Sequence, residues 1–195
     1  MAEALSVVLI EDNDDDAVIL EREIRRGGYD VKCTRVETED DFLHALRVSC
    51  DIIITDYYLP QFTGMRVLDI LQEKHCDIPC IMVSGKYGEE TAVEAMRAGA
   101  SDFLVKGNLS RLVPAIRREL KEYRMRKSKE QLEARLIERE EIFRRLIEQS
   151  VEGVMLTDDE GVILEWNNAM MQITEIASVS VVGEPVWQVF ADLRV

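Results

Sequence analysis

Nowhere in these 195 residues does an apolar run approach the length of a bilayer span. The longest near the N-terminus, Leu5 to Ile10, is already broken by Ser6. A membrane helix needs roughly 20 apolar residues, and a secretory leader needs a basic start followed by a longer apolar stretch. These two lacks predict a cytoplasmic protein with no membrane contact in this chain. Basic residues are scarce as well: 24 Lys and Arg against 38 Asp and Glu leave a net charge of −14, the opposite of the clustered cations that grip nucleic acid. Only four cysteines occur, Cys33, Cys50, Cys76 and Cys80, all in the first 80 residues. Cytoplasmic thiols stay reduced, and Cys76 and Cys80, with His75 nearby, lack the second pair that a zinc site would need.

Glycine and proline are missing altogether between Ala115 and Glu152. That gap predicts one long helix, entered near Pro114, a residue suited to a first helical position. Its length exceeds that of an ordinary globular helix and points to a connector or coiled coil. One heptad frame runs Met125, Lys129, Leu132, Leu136, Arg139, Phe143, Leu146, Ser150, and five of its eight members are apolar. This is a moderate seam through which two copies would form a homodimer. Charge divides at the same places: residues 1–107 carry a net −11, residues 108–149 a net +4 and residues 150–195 a net −7. The expected organisation is a domain over 1–125, a helical connector over 114–150 continuous with that domain's last helix, and a further segment over 150–195.

Within the first domain, β-rich runs alternate with helical ones. Leu5–Ile10, Val31–Val36, Asp51–Thr55, Pro79–Val83 and Asp102–Val105 read as strands. Asn13 caps a helix whose first turn holds Asp14, Asp15 and Asp16, where the helix dipole favours negative charge. Val18, Ile19 and Ile24 are its expected apolar side, and Gly27-Gly28 stops it. Glu39–Val48, a stretch after Gly64 and Glu89–Ala98 supply further helices. Five strands alternating with helices predict an α/β fold with a parallel sheet covered on both faces. In such sheets the functional crevice lies at the carboxyl ends of the strands.

Those ends carry Glu11-Asp12, Asp56, Ser84 and Lys106. Three carboxylates gathered at one edge repel one another, and a hard cation with oxygen ligands, Mg²⁺ above all, relieves the repulsion. A carboxylate can attack phosphorus to give an acyl phosphate, a reaction that needs a metal, a cation and a hydroxyl around the phosphoryl oxygens. Asp14–Asp16 are explained by the helix start and are given no part in the site.

In four motifs the first 125 residues resemble a response-regulator receiver domain. They are Leu9-Ile10-Glu11-Asp12; Ile54-Thr55-Asp56-Tyr57-Tyr58-Leu59-Pro60 with Gly64; Val83-Ser84-Gly85; and Asp102-Phe103-Leu104-Val105-Lys106. The resemblance implies a flavodoxin-like doubly wound five-stranded parallel sheet of order 2-1-3-4-5. It further implies phosphorylation of Asp56 by a histidine kinase or phosphotransfer protein. Asp12 would then bind Mg²⁺ directly, Glu11 would act through water, and the main-chain carbonyl of Tyr58 would be a further ligand. Ser84 and Lys106 would hold the phosphoryl group, and Phe103 would be an aromatic switch. The family usually places proline after the active-site lysine; here the residue is Gly107. Two rivals read less well. An aspartate-based phosphatase resembles a motif with a second Asp two residues after the nucleophile, where this chain has Tyr58, and a flavin-binding module would need a phosphate cradle where Glu11 and Asp12 stand. A receiver that only scaffolds partners would not need the full set.

Residues 142–195 resemble the beginning of a PAS domain. The resemblance rests on Phe143, Leu146 and Ile147, then Glu152-Gly153-Val154-Met155, the turn Asp158-Asp159-Glu160-Gly161, Trp166-Asn167-Asn168-Ala169 and Val182-Gly183-Glu184-Pro185. It implies a partial α+β segment after the long helix, as in hybrid sensory histidine kinases, though no kinase motif stands in this chain. Gly153–Thr157 and Val162–Trp166 are its expected strands.

Overall fold

A computed structural model describes residues 2–85 and 88–192. The chain divides into two compact units, Met1–Ser128 and Lys129–Val195.

In the first unit, β1 (Glu3–Ile10), β2 (Tyr29–Val36), β3 (Ile52–Asp56), β4 (Cys80–Ser84) and β5 (Asp102–Val105) alternate with helices α1 (Asp14–Arg26), α2 (Glu39–Ala45), α3 (Gly64–Glu73) and α4 (Glu89–Arg97). All strand pairs are parallel, as the alternation of strands and helices predicts, in the order β2-β1-β3-β4-β5 that the resemblance implies. Successive side chains of a strand point to opposite faces, so each strand feeds two cores. Leu5, Val7, Leu9, Ile52, Ile54, Ile81 and Val83 pack beneath α1 and the start of α5 (Leu112–Glu148). Val8, Ile10, Ile53, Cys80 and Met82 pack against α2, α3 and α4 through Phe42, Val67, Leu68, Ile70 and Ala95. Burial on both faces explains why β3 reads Ile52-Ile53-Ile54 without alternation.

The expected apolar side of α1 is corrected. Ala17, Leu20 and Ile24 are buried, at the 3-then-4 spacing of a helix face. Val18 is 64% exposed and Ile19 is also exposed, so only Ile24 of the expected trio faces the core. Asn13 does cap the helix, its side chain accepting from the backbone N–H of Asp15 and of Asp16.

Helix α5 begins at Leu112, two residues before Pro114, and ends at Glu148, four residues short of the expected Glu152. Its first turns bury Leu112, Ala115, Ile116 and Leu120 in the first unit. Further along, Arg126 forms a two-pronged pair with Asp77 at 2.7 and 2.8 Å. Arg126 beside Asp77 holds that carboxyl below its ordinary value.

In the second unit, β6 (Met155–Thr157) and β7 (Ile163–Trp166) form an antiparallel pair shorter than expected, followed by α6 (Asn168–Thr174) and α7 (Val186–Asp192). The end of α5 is tied in by Asn167. Its Nδ2 donates to the carbonyls of Ile147 and Glu152 at 2.9 and 3.0 Å, and its Oδ1 accepts from the N–H of Val154 and of Met170, both at 2.9 Å. The side chain thereby uses all its hydrogen-bonding capacity while fully buried.

The corrected face of α1 has a measurable consequence. Leu20→Ala should lower unfolding free energy by about 2–5 kcal/mol, the range for a buried leucine, whereas Val18→Ala should change it by less than about 0.5 kcal/mol. Urea denaturation of the two variants reads the difference, and equal losses would contradict the assignment.

Candidate functional site

Parallel strands bring their carboxyl ends to one edge, and the charged residues gather there. Glu11 follows β1, Asp56 closes β3, Ser84 closes β4 and Lys106 follows β5. Glu11, Asp56 and Ser84 are buried, while Asp12 is exposed. Carboxylate oxygens of Glu11, Asp12 and Asp56 all lie within 4.8 Å of one another.

Lys106 supplies the compensating charge. Its Nζ donates to Asp56 Oδ2 and to Asp16 Oδ2, each at 2.6 Å. Glu11 Oε2 lies 2.7 Å from the same ammonium. That contact is an ion pair, and among the described residues Oε2 has no hydrogen-bond partner. The backbone N–H of Lys106 donates to the Ser84 carbonyl at 2.8 Å, fixing the start of its stem. Burial pushes the Glu11 carboxyl above its ordinary value, with the Lys106 contact opposing it. Burial alone would lower the Lys106 ammonium; its contacts with the carboxylates of Asp16, Asp56 and Glu11 outweigh that and raise it.

The remaining Asp56 oxygen, Oδ1, accepts the N–H of Tyr58 at 3.1 Å. Gly64 lets α3 close on this loop. Its N–H donates to the Tyr57 carbonyl at 3.1 Å, and a Cβ at residue 64 would lie 2.6 Å from the Asp56 carbonyl oxygen. Tyr58 is itself exposed, its ring edge-on to Tyr57 at 4.6 Å. Phe103 is half-buried on β5, facing a cleft of about 430 Å³ shared with Ala92, Asn108 and Arg111. The peptide between Lys106 and Gly107 is trans.

Glu11, Asp12, Asp56, Ser84 and Lys106 are therefore brought together as the sequence places them. Two residues were missed. Asp16, given no part in the site, contacts Lys106 directly, and that expectation is corrected. It lies in the first turn of α1, three residues past the N-cap Asn13, and nothing local in the sequence signals its contact with Lys106. Arg35, on β2, donates to the main-chain carbonyls of Glu11 and Asp12 at 2.8 and 2.9 Å; no motif marks it.

Three carboxylates with ligand atoms within 4.8 Å of one another suit a small divalent cation such as Mg²⁺. The fit rests on Glu11, Asp12 and Asp56.

The family model of the response regulator receiver domain matches residues 7–117. The chain belongs to this family. A PAS domain model matches residues 141–195, after the receiver. Among curated relatives, the C4-dicarboxylate transport transcriptional regulatory protein DctD of Pseudomonas aeruginosa is 33% identical over 153 residues, 76% of this chain and 33% of its own length. The regulatory protein LuxO of Vibrio cholerae is 41% identical over 78 residues, 40% of this chain and 17% of its own. The chain thus spans a third or less of these relatives. Among solved structures, NtrX from Brucella abortus superposes with a TM-score of 0.59 at 25% identity, over 68% of this chain and 30% of that one. A CheY-like receiver domain protein from Methanospirillum hungatei gives 0.54 at 20% identity over 65% of this chain and 99% of that one, a likeness of fold. Both matched modules are signalling modules, and among the described residues no helix is long and apolar enough to cross a membrane.

Glu11 offers a test of the site's electrostatics. Because burial raises its folded-state value above the ordinary 4.5, its contribution to stability is fully present below that pH and is lost as pH rises through the raised value. Glu11→Gln in Mg²⁺-free solution should therefore gain on the parent protein between pH 4 and pH 7 in chemical denaturation. A stability difference independent of pH would contradict the buried placement of this charge.

Proposed function

We propose that this chain is the phosphoacceptor of a two-component relay, with Asp56 as the acceptor. The observation that carries the reading is the geometry of Asp56: a buried carboxylate at the end of a central strand, 2.6 Å from Lys106 and within 4.8 Å of the oxygens of Glu11 and Asp12. In the reaction, a carboxylate oxygen of Asp56 attacks the phosphorus of a phosphorylated histidine on a kinase or phosphotransfer protein. An O–P bond forms, the P–N bond breaks, and the imidazole leaves with its electron pair. Glu11, Asp12, Asp56 and the main-chain carbonyl of Tyr58 would hold Mg²⁺, which when bound neutralises charge on the phosphoryl oxygens.

Lys106 exchanges its bond to the Asp56 carboxylate for one to a phosphoryl oxygen, while Asp16 keeps the ammonium in place. Ser84, closing the neighbouring strand, donates its hydroxyl to another oxygen. Phe103 then moves from its half-buried position towards the space that Ser84 vacates. The chemistry is positioning and electrostatics throughout, and the protein acts as a phosphorylated signalling domain rather than as a kinase.

For output, we assign residues 1–125 to the receiver, 114–150 to the connector and 150–195 to the PAS-like segment, in a cytoplasmic setting. Continuity of α5 from Leu112 to Glu148 supports relay through α4, β5 and α5 into the connector. The exposed Leu132, Leu136, Phe143 and Leu146 support a homodimer along it. A second reading, docking of a partner directly on the receiver, is favoured by the exposure of Val93 and Met96 on α4.

Acceptance is tested by incubation with Mg²⁺ and acetyl phosphate followed by intact-mass measurement. One phosphate adduct is expected on the parent protein and none on Asp56→Asn; an undiminished adduct on that variant would overturn the assignment. Output is tested by spin-label distances across the dimer at Ala134 and Gln149, with and without beryllofluoride. A shifted distribution at either site supports relay through the connector, and unchanged distributions at both in activated protein favour direct docking.

A further inference from the structure

Two of the three clustered carboxylates stand on the loop between β1 and α1, where the sheet no longer holds the chain. Pairing of β1 with β2 ends at Ile10 opposite Val36. One more backbone bond, from the Glu11 N–H to the Val36 carbonyl at 3.3 Å, closes the ladder. The carbonyls of Glu11 and Asp12 lie beyond it.

Arg35, next to last on β2, takes both of them. Nε donates to the Glu11 carbonyl at 2.8 Å and Nη2 to the Asp12 carbonyl at 2.9 Å. The same guanidinium pairs with Asp14 in the first turn of α1, and with Glu37 at 2.8 Å. Alternation along β2 puts Arg35 on the side of Val31 and Cys33, which pack with the core under α1, so its stem rises directly beneath the loop. One side chain therefore ties together the end of β2, both acidic residues and the first turn of α1.

We propose that Arg35 is a positioning residue for cation binding: its planar fork fixes the peptide groups of Glu11 and Asp12 and so aims both carboxylates into the cluster. The inference rests on the reading of that cluster as a Mg²⁺ site. Geometry, not charge, is what Arg35 contributes. Asp14 and Glu37, two carboxylates against one guanidinium, more than offset its positive charge, and an uncompensated cation near the cluster would oppose a divalent ion. A lysine ammonium, a point charge on a flexible stem, cannot reproduce the fork.

Calorimetric titration of Mg²⁺ into the protein, its Arg35→Lys and its Arg35→Met, with thermal melts in Mg²⁺-free buffer, tests this. Half-saturating Mg²⁺ should rise about ten- to a hundredfold in both variants, the usual loss when the groups that orient metal ligands are removed. Three results would overturn the inference. Tighter Mg²⁺ binding by Arg35→Met with unchanged binding by Arg35→Lys would mean that charge is the contribution. Lowered melting temperature with unchanged Mg²⁺ affinity in folded protein would mean a role in stability alone. Unchanged affinity and unchanged melting in both would mean no role. Should Arg35→Met fail to fold, Arg35→Lys decides by itself. Absence of Mg²⁺ binding by the parent protein is a distinct outcome, and it overturns the metal reading on which the inference stands.

Discussion

Repulsion among carboxylates is the constraint around which this receiver is built. Glu11, Asp12, Asp16 and Asp56 converge on one edge of the sheet, and Lys106 is the ammonium that three of them share. In a region of lowered dielectric such charges interact far more strongly than in water. Their proximity has to be imposed by the fold, and the doubly wound sheet imposes it. Glu11, Asp12 and Asp56 are anchored at or just beyond the ends of β1 and β3, whose side chains feed both cores, and Asp16 reaches the same edge from the first turn of α1. The site's charge imbalance is thus held by apolar burial elsewhere, in the fully buried Ile10, Ile52, Ile53, Ile54, Ile81 and Val83.

That arrangement also makes the edge responsive. A cluster with more acid than base favours ligands that bring positive charge. Lys106 has three carboxylate partners and can surrender one of them without losing its place. Asp16 matters here because it belongs to α1, not to β3, and so anchors the ammonium independently of Asp56.

The fold was legible because its signals are redundant. The Ile52-Ile53-Ile54 run, the glycines that end helices and the strand-end acids all point to the same sheet. The site was legible wherever its residues are fixed by strand position, as for Asp56 and Lys106. Errors arose where tertiary packing decides. On α1, Val18 and Ile19 are as apolar as Leu20, and only the crossing of the helix over the sheet selects Ala17, Leu20 and Ile24. Asp16 looked sufficiently explained by the helix dipole, a local cause that hid its contact with a lysine 90 positions away. Arg35 carries no motif, since the partners through which it holds the loop are main-chain carbonyls beyond a different strand end. The last turn expected of α5 is absent, and there Asn167, 15 and 20 positions further along, bonds the carbonyls of Glu152 and Ile147.

Fluorine NMR of the protein with beryllofluoride tests the central claim most directly, since this fluoride is a tetrahedral stand-in for a phosphoryl group on a carboxylate. The account predicts bound fluorine resonances only when Mg²⁺ is also present, and their loss in Asp56→Asn. Bound resonances that form without Mg²⁺, or that persist when Asp56 is replaced, would contradict it.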